Sequence, residues 1–177
     1  MRFPDGSPSQ PGRPQRGGSK TERPAAPRPQ PDLLIADLGG TNLRIARRDG
    51  RGRTVLLGRF ASHEIEDLPD LLRRVWLKAA GRVPAALAIA VAGPIDHGAG
   101  QARLTNHPAL AISSAAIARA LGLRGIAMVN DLAAQAMGLA LGAGGTREMV
   151  APGTPDDEAP RLLIGLGTGF GTALILP

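Results

Sequence analysis

The chain has 177 residues, no cysteine, three histidines and a formal charge of +6. That length holds one domain or two, and the lack of cysteine excludes disulfides, thiol nucleophiles and cysteine-held zinc or iron–sulfur sites within it. No HExxH pair and no apolar run near the roughly 20 residues of a membrane span is present, and four aromatics (Phe3, Phe60, Trp76, Phe170) are too few to stack nucleic-acid bases.

Most of the charge lies at the amino end. Within residues 1–30, Arg2, Arg13, Arg16, Lys20, Arg23 and Arg28 face only Asp5 and Glu22, and seven of the 16 prolines fall there. No hydrophobic periodicity accompanies them. Such a segment cannot bury enough apolar surface to offset its ordering entropy. Residues 1–31 are therefore expected to be a disordered tail. It lacks the apolar stretch of a secretory signal, which favours a cytoplasmic setting. The high pI is a property of this tail and does not argue for a basic nucleic-acid face.

Order is expected from Asp32. Leu33–Ala36 reads as a buried strand running into Asp37-Leu38-Gly39-Gly40-Thr41. Leu43–Arg47 alternates, with Leu43 and Ile45 inward, and Asp49-Gly50 is a hairpin turn signal before a third strand at Thr54–Phe60. Three strands joined by short turns are antiparallel neighbours. Asp67 can cap a helix with Pro69 in its first turn. Leu68, Leu71, Leu72, Val75, Trp76 and Ala79 recur at helical spacing before Gly81.

Ala85–Ala92 is an uninterrupted apolar run, expected to be a strand buried on both faces, and Gly93-Pro94-Ile95-Asp96 turns it out of the sheet. A second helix begins at Ser113 or Ser114 and stops at Gly122. Gly125–Val129 is another buried strand with Asn130-Asp131 at its carboxyl end, and Leu132–Leu141 is a very apolar third helix. After a polar loop from Pro152 to Pro160, Leu162–Leu166 is expected as a buried strand, running through Gly167-Thr168-Gly169-Phe170-Gly171 into Thr172–Leu176. Three antiparallel strands followed by helix-linked parallel strands describe an α/β lobe.

Two segments have the form strand, glycine turn, hydroxyl, strand. In Asp37-Leu38-Gly39-Gly40-Thr41-Asn42 the glycines let the backbone approach an anion, and Thr41 and Asn42 add donors. Asp37 would repel a bare phosphate, so its sensible role there is to hold Mg²⁺ through water; a plain Gly-Gly hairpin with a solvated Asp reads equally well. Gly165–Gly171 repeats the form but fails the GxGxxG dinucleotide fingerprint, since 170 is Phe and 172 is Thr, and no P-loop exists. Two such turns suggest a pair of hairpins gripping one nucleotide. Asp131, at a strand's carboxyl end, projects over the sheet, where it could take a proton from a hydroxyl nucleophile. An Asp there serves equally well as a helix cap.

Five segments together resemble bacterial glucokinases, of the actin, hexokinase and heat-shock chaperone ATPase superfamily. They are Asp37–Arg44, Ala90–Ile95, Leu104–Pro108, Val129–Gln135 and Gly165–Gly171, in that order. The resemblance covers residues 33–176. It implies a ribonuclease-H-like N-terminal lobe over 32–150, with a mixed five-stranded sheet, and the first strands of a second lobe over 151–177. It implies ATP-dependent phosphorylation of glucose at its 6-hydroxyl, with ATP and Mg²⁺ as cofactors. Asp131 would be the catalytic base. Asn130, Asp131 and Asn106 would bind the sugar. Ala36, Asp37, Leu38, Gly39, Gly40, Thr41 and Asn42 would form the first phosphate loop, and Gly167, Thr168 and Gly169 the second. The expected partner is a small hexose, with no nucleic acid and no membrane; a homodimer is compatible with the full-length protein.

The chain departs from the family at Pro108-Ala109-Leu110, which bears on the sugar loop, and at Leu132, where an aromatic is frequent. The family's second lobe also supplies sugar ligands and the adenine pocket. A chain ending at Pro177 is therefore expected not to turn over by itself, and its last strand pair to lack sheet partners. Two other functions fit the same residues: a ROK-type kinase of another sugar, and a non-catalytic sugar- or nucleotide-binding remnant.

Overall fold

The structure is a computed structural model describing residues 31–177, apart from 143–145, 147, 155, 157 and 168. Residues 1–30 of the expected tail, and Thr168 of the second glycine turn, lie outside the described residues.

Three strands open the fold: β1 (Leu33–Leu38), β2 (Asn42–Arg48) and β3 (Thr54–Ala61), each antiparallel to the next. Because strand side chains alternate, Leu34, Ala36 and Leu38 share one face with Leu43 and Ile45, and all five are buried. The β2–β3 register shifts by one residue at Ile45/Ala46, a bulge. Helix α1 (Leu68–Ala80) starts where Asp67 accepts from the Asp70 N–H at 2.9 Å, and ends at Gly81, whose φ of 64° suits glycine. Its Leu68, Leu72 and Trp76 are buried, and the Trp76 indole N–H donates to the Arg82 carbonyl.

Strand β4 (Ala86–Val91) lies parallel to β1. A small antiparallel sheet follows, of β5 (Ile95–Asp96), β6 (Gln101–Ala102) and β7 (Ile112–Ser113). Ser113 caps α2 (Ser114–Leu121) by accepting from Ala116 N–H, and Gly122 ends it at φ 68°. Strand β8 (Ile126–Asn130) is parallel to β4 and leads directly into α3 (Asp131–Ala140). The main sheet therefore runs β3-β2-β1-β4-β8, the mixed five-stranded α/β sheet the sequence implied. A hairpin of β9 (Arg161–Leu166) and β10 (Phe170–Ile175) forms a sheet of its own beside α3.

Four expectations need correction. The run at 85–92 is not buried on both faces: Leu87, Ile89 and Val91 are buried, whereas Ala88 is exposed. The core gathers on one face, where α1 and α2 supply Leu72, Trp76, Ile117 and Leu121. β8 is likewise only partly buried. The hairpin is also not buried: Leu162, Ile164, Leu166, Phe170 and Leu174 are exposed, because only the alternate residues face α3. Finally, α3 begins at Asp131 with Asn130 as its cap, not Asp131, and only Ala136 of its apolar side chains is buried.

At the amino end of β1, far from the glycine turns, buried Asp32 accepts from Arg47 Nη2 at 2.8 Å and from Arg82 Nη2. The Arg82 hydrogen bond, helped by Arg47, holds the Asp32 carboxyl below its ordinary value despite the opposing effect of burial.

Candidate active site

The register places the site. Leu38 lies beside Val91, and Val91 beside Asn130, so these three residues form one row across β1, β4 and β8. Two strand spacings of ~4.8 Å separate the ends of that row, so the first glycine turn and Asn130-Asp131 emerge about 10 Å apart on the same carboxyl edge. This is where ligands sit in open α/β sheets.

The first turn is closed by its own backbone: the Gly39 N–H donates to the Asn42 carbonyl at 2.9 Å. Buried Ser62, just past β3, clamps it twice. Its Oγ donates to the Gly39 carbonyl at 2.7 Å, and its N–H to the Thr41 carbonyl at 2.9 Å. Thr41 itself is exposed at the tip. Asp37 points to the open face, where its cross-strand partner Arg44 donates to Oδ2 at 2.8 Å. Arg59, opposite Arg44 on β3, donates through Nε to Asn42 Oδ1 at 3.1 Å. The carboxylate beside the turn is thus already charge-paired, and the orientation of the Asn42 amide is set.

Asn130 is held on both ends. Its Oδ1 accepts from the Leu132 and Ala133 N–H groups at 3.0 and 3.2 Å, and its Nδ2 donates to the Gly93 carbonyl at 3.4 Å. Asp131 Oδ1 accepts from the same Leu132 N–H at 2.9 Å.

The loop carrying Asn106 is moored to this edge. The Ala92 N–H donates to the Leu38 carbonyl at 2.9 Å, and the Thr105 N–H to the Ala92 carbonyl at 3.4 Å. Asn106 is exposed and His107 half-buried. A concavity of about 380 Å³ behind this loop, between Gln101–Arg103 and Pro108–Ser113, shares no residue with the glycine turns or Asn130-Asp131.

In the second turn the Gly167 N–H donates to the Gly169 carbonyl at 3.0 Å. The hairpin that carries it meets α3 through Leu132, which lies against Gly165 and Gly171. The structure thus brings Ala36–Asn42, Asn106, Asn130 and Asp131 to one edge and ties the second turn to α3.

Among the described residues no three His, Cys, Asp or Glu side chains gather to hold a metal. Among the described residues Asp37 is the carboxylate beside the first turn, and it is paired with Arg44; one carboxylate together with water and phosphate oxygens is a donor set that Mg²⁺ accepts. No helix among the described residues is long and apolar enough to cross a membrane. Ser62 and Arg59 carry no signal in the sequence: neither lies in a motif, and only the return of β3 alongside β2 brings them to the turn.

A family model described as Glucokinase matches residues 34–177. The chain is 38% identical over 146 residues to a bifunctional protein glk of Burkholderia pseudomallei, covering 81% of this chain and 22% of that protein. A crystal structure of glucokinase from an Antarctic psychrotroph superposes with a TM-score of 0.61 at 28% identity, over 82% of this chain and 46% of that one. A ROK family glucokinase from Streptomyces griseus, solved with glucose and AMPPNP, shares the fold at TM-score 0.58 and 22% identity, over 82% and 44%. The chain spans between 22% and 43% of the length of the curated relatives it matches. With the five motifs in order and the match running from residue 34 to 177 through both glycine turns, this chain belongs to the glucokinase family.

Proposed function

We propose that this chain supplies the catalytic base and the phosphate-gripping turns of an ATP-dependent kinase that phosphorylates glucose at its 6-hydroxyl. The observation that carries the reading is the single row of Leu38, Val91 and Asn130, which sets a glycine turn and a carboxylate side by side. In this reading residues 32–150 are the first lobe and 151–177 open a second. The activity is that of a family-length protein.

Each residue then has a task. Gly39 shapes the first turn, so that the backbone N–H groups of Gly40 and Thr41 and the side chain of Asn42 would face the terminal phosphates, with Gly167, Thr168 and Gly169 as the second grip. Asn106 and the Asn130 amide orient the hexose. Asp131 positions the 6-hydroxyl and takes its proton late, since phosphoryl transfer is largely dissociative and depends on placement more than on basicity. Bound Mg²⁺ would neutralise phosphate charge, with Asp37 holding it through water and sharing its carboxylate with Arg44. The reading carries a cytoplasmic setting with it but does not depend on one.

The test is a coupled assay of glucose 6-phosphate formation in a family-length chain containing this segment. Asp131→Asn is expected to lower turnover about 10²- to 10⁴-fold with an unchanged circular dichroism spectrum. Unchanged turnover would remove Asp131 from the mechanism. A panel of hexoses in the same assay separates glucose from other sugars.

A further inference from the structure

The hairpin carrying the second glycine turn is attached in an unusual way. Gly165 and Gly171 are register partners on β9 and β10. Neither has a positive φ, so backbone conformation does not call for glycine at either position. Space does. A Cβ on Gly165 would overlap Leu132 Cδ2, and a Cβ on Gly171 would overlap Leu132 Cδ1. The two glycines form a bare saddle across the hairpin, and the Leu132 side chain is the knob that sits in it.

Leu132 is also where the site's polar groups converge. Its backbone N–H is shared by Asn130 Oδ1 at 3.0 Å and Asp131 Oδ1 at 2.9 Å. One residue thus touches the hairpin with its side chain and orients both Asn130 and Asp131 with its amide. A displacement of the hairpin must move that amide or empty the saddle, because packed contacts do not deform continuously.

We infer that Leu132 is a positioning residue that couples the second glycine turn to Asp131. The inference rests on the proposed roles of Asp131 and Gly167–Gly169, and it extends them by naming what sets their separation. A side chain of another size at 132, or any Cβ in the saddle, would change the gap between the carboxylate and the second turn while leaving both chemically intact.

The test uses size complementation in this chain. Gly171→Ala, Leu132→Ala and the double variant are compared by amide hydrogen exchange over β9 and β10 and by the side-chain amide signal of Asn130 in nitrogen-resolved NMR spectra. Gly171→Ala is expected to raise exchange in the hairpin about tenfold or more and to shift the Asn130 signal. Adding Leu132→Ala should restore both, exchange returning to within about threefold of the parent. An Asn130 signal that stays put while the hairpin loosens would overturn the coupling. So would a double variant no better than Gly171→Ala, or a Gly171→Ala chain indistinguishable from the parent. Calorimetry with Mg·ATP on the same substitutions made in a family-length chain separates the two readings. Affinity that falls and is rescued in parallel supports both. Rescue of the spectra without any nucleotide binding keeps the coupling and removes the nucleotide.

Discussion

The two glycine turns have the same form and are held differently. The first lies between Leu38 and Leu43, both fully buried, and Ser62 grips it from below. The second lies between Leu166 and Phe170, which are 83% and 73% exposed, and among the described residues its hairpin pairs with no other strand. The first turn therefore inherits its stiffness from the core. The second leans on α3, with the Leu132 side chain lodged in its saddle. In the proposed site the first turn would be the fixed jaw and the second the adjustable one, where sequence change can alter spacing without unfolding the main sheet.

Truncations at matched positions put that contrast at risk most directly. Leu38→Ala is expected to cost about 2–5 kcal/mol, the usual cost of a buried cavity. Leu166→Ala, on the strand leading into the second turn, should stay within about 0.5 kcal/mol. Urea denaturation monitored by circular dichroism reads both, and equal costs would erase the distinction. Next in size is Ser62→Ala. It removes the hydroxyl donor from the Gly39 carbonyl, for which about 1–3 kcal/mol is expected. Hydrogen exchange should speed at Gly39 and Asn42 and stay unchanged across β9 and β10. Loosening of the hairpin in that variant would show that the two turns are not held independently.

The smallest effect is a pH dependence confined to the lobe. Asp32 has its carboxyl lowered from 3.8 by Arg82 and Arg47. A lowered native value means that the unfolded chain takes up the proton first. The stabilisation is therefore complete above about pH 3.8 and is lost as pH falls through the lower native value. The thermal midpoint difference between the parent and Asp32→Asn should be constant at neutral pH and shrink only in strong acid. A difference that already narrowed between pH 5 and 7 would assign the effect to another group.

Much of this arrangement was legible because local chemistry wrote it. Asp67 and Ser113 cap the helices they precede, and Gly81 and Gly122 stop them at positive φ, where few other residues fit. The alternation in Leu43–Arg47 and the short turns gave the antiparallel opening, and the strand ends placed Asp37 and Asp131. What was not legible depends on contacts distant in sequence. Leu162–Leu166 is as apolar as a core strand, yet apolarity does not say whether a neighbour arrives to cover it. Asn130 and Asp131 are both competent caps, and only the helix start shows that Asn130 takes the role. Ser62 serves the first turn across 23 residues of chain, with no motif to mark it.

The contact between Asn130 and Gly93 limits how the loop carrying Asn106 can change. The Gly93 carbonyl receives Asn130 Nδ2, and a Cβ on Gly93 would overlap the Arg103 carbonyl oxygen. The cap of α3 and the root of the Asn106 loop therefore meet at a point with no room for a methyl group. Even the smallest side chain there would swing both at once. If that loop holds the sugar as proposed, re-aiming it toward another hexose would have to begin elsewhere, at Pro108 and Ala109, which are exposed and can vary while the joint at 93 stays shut.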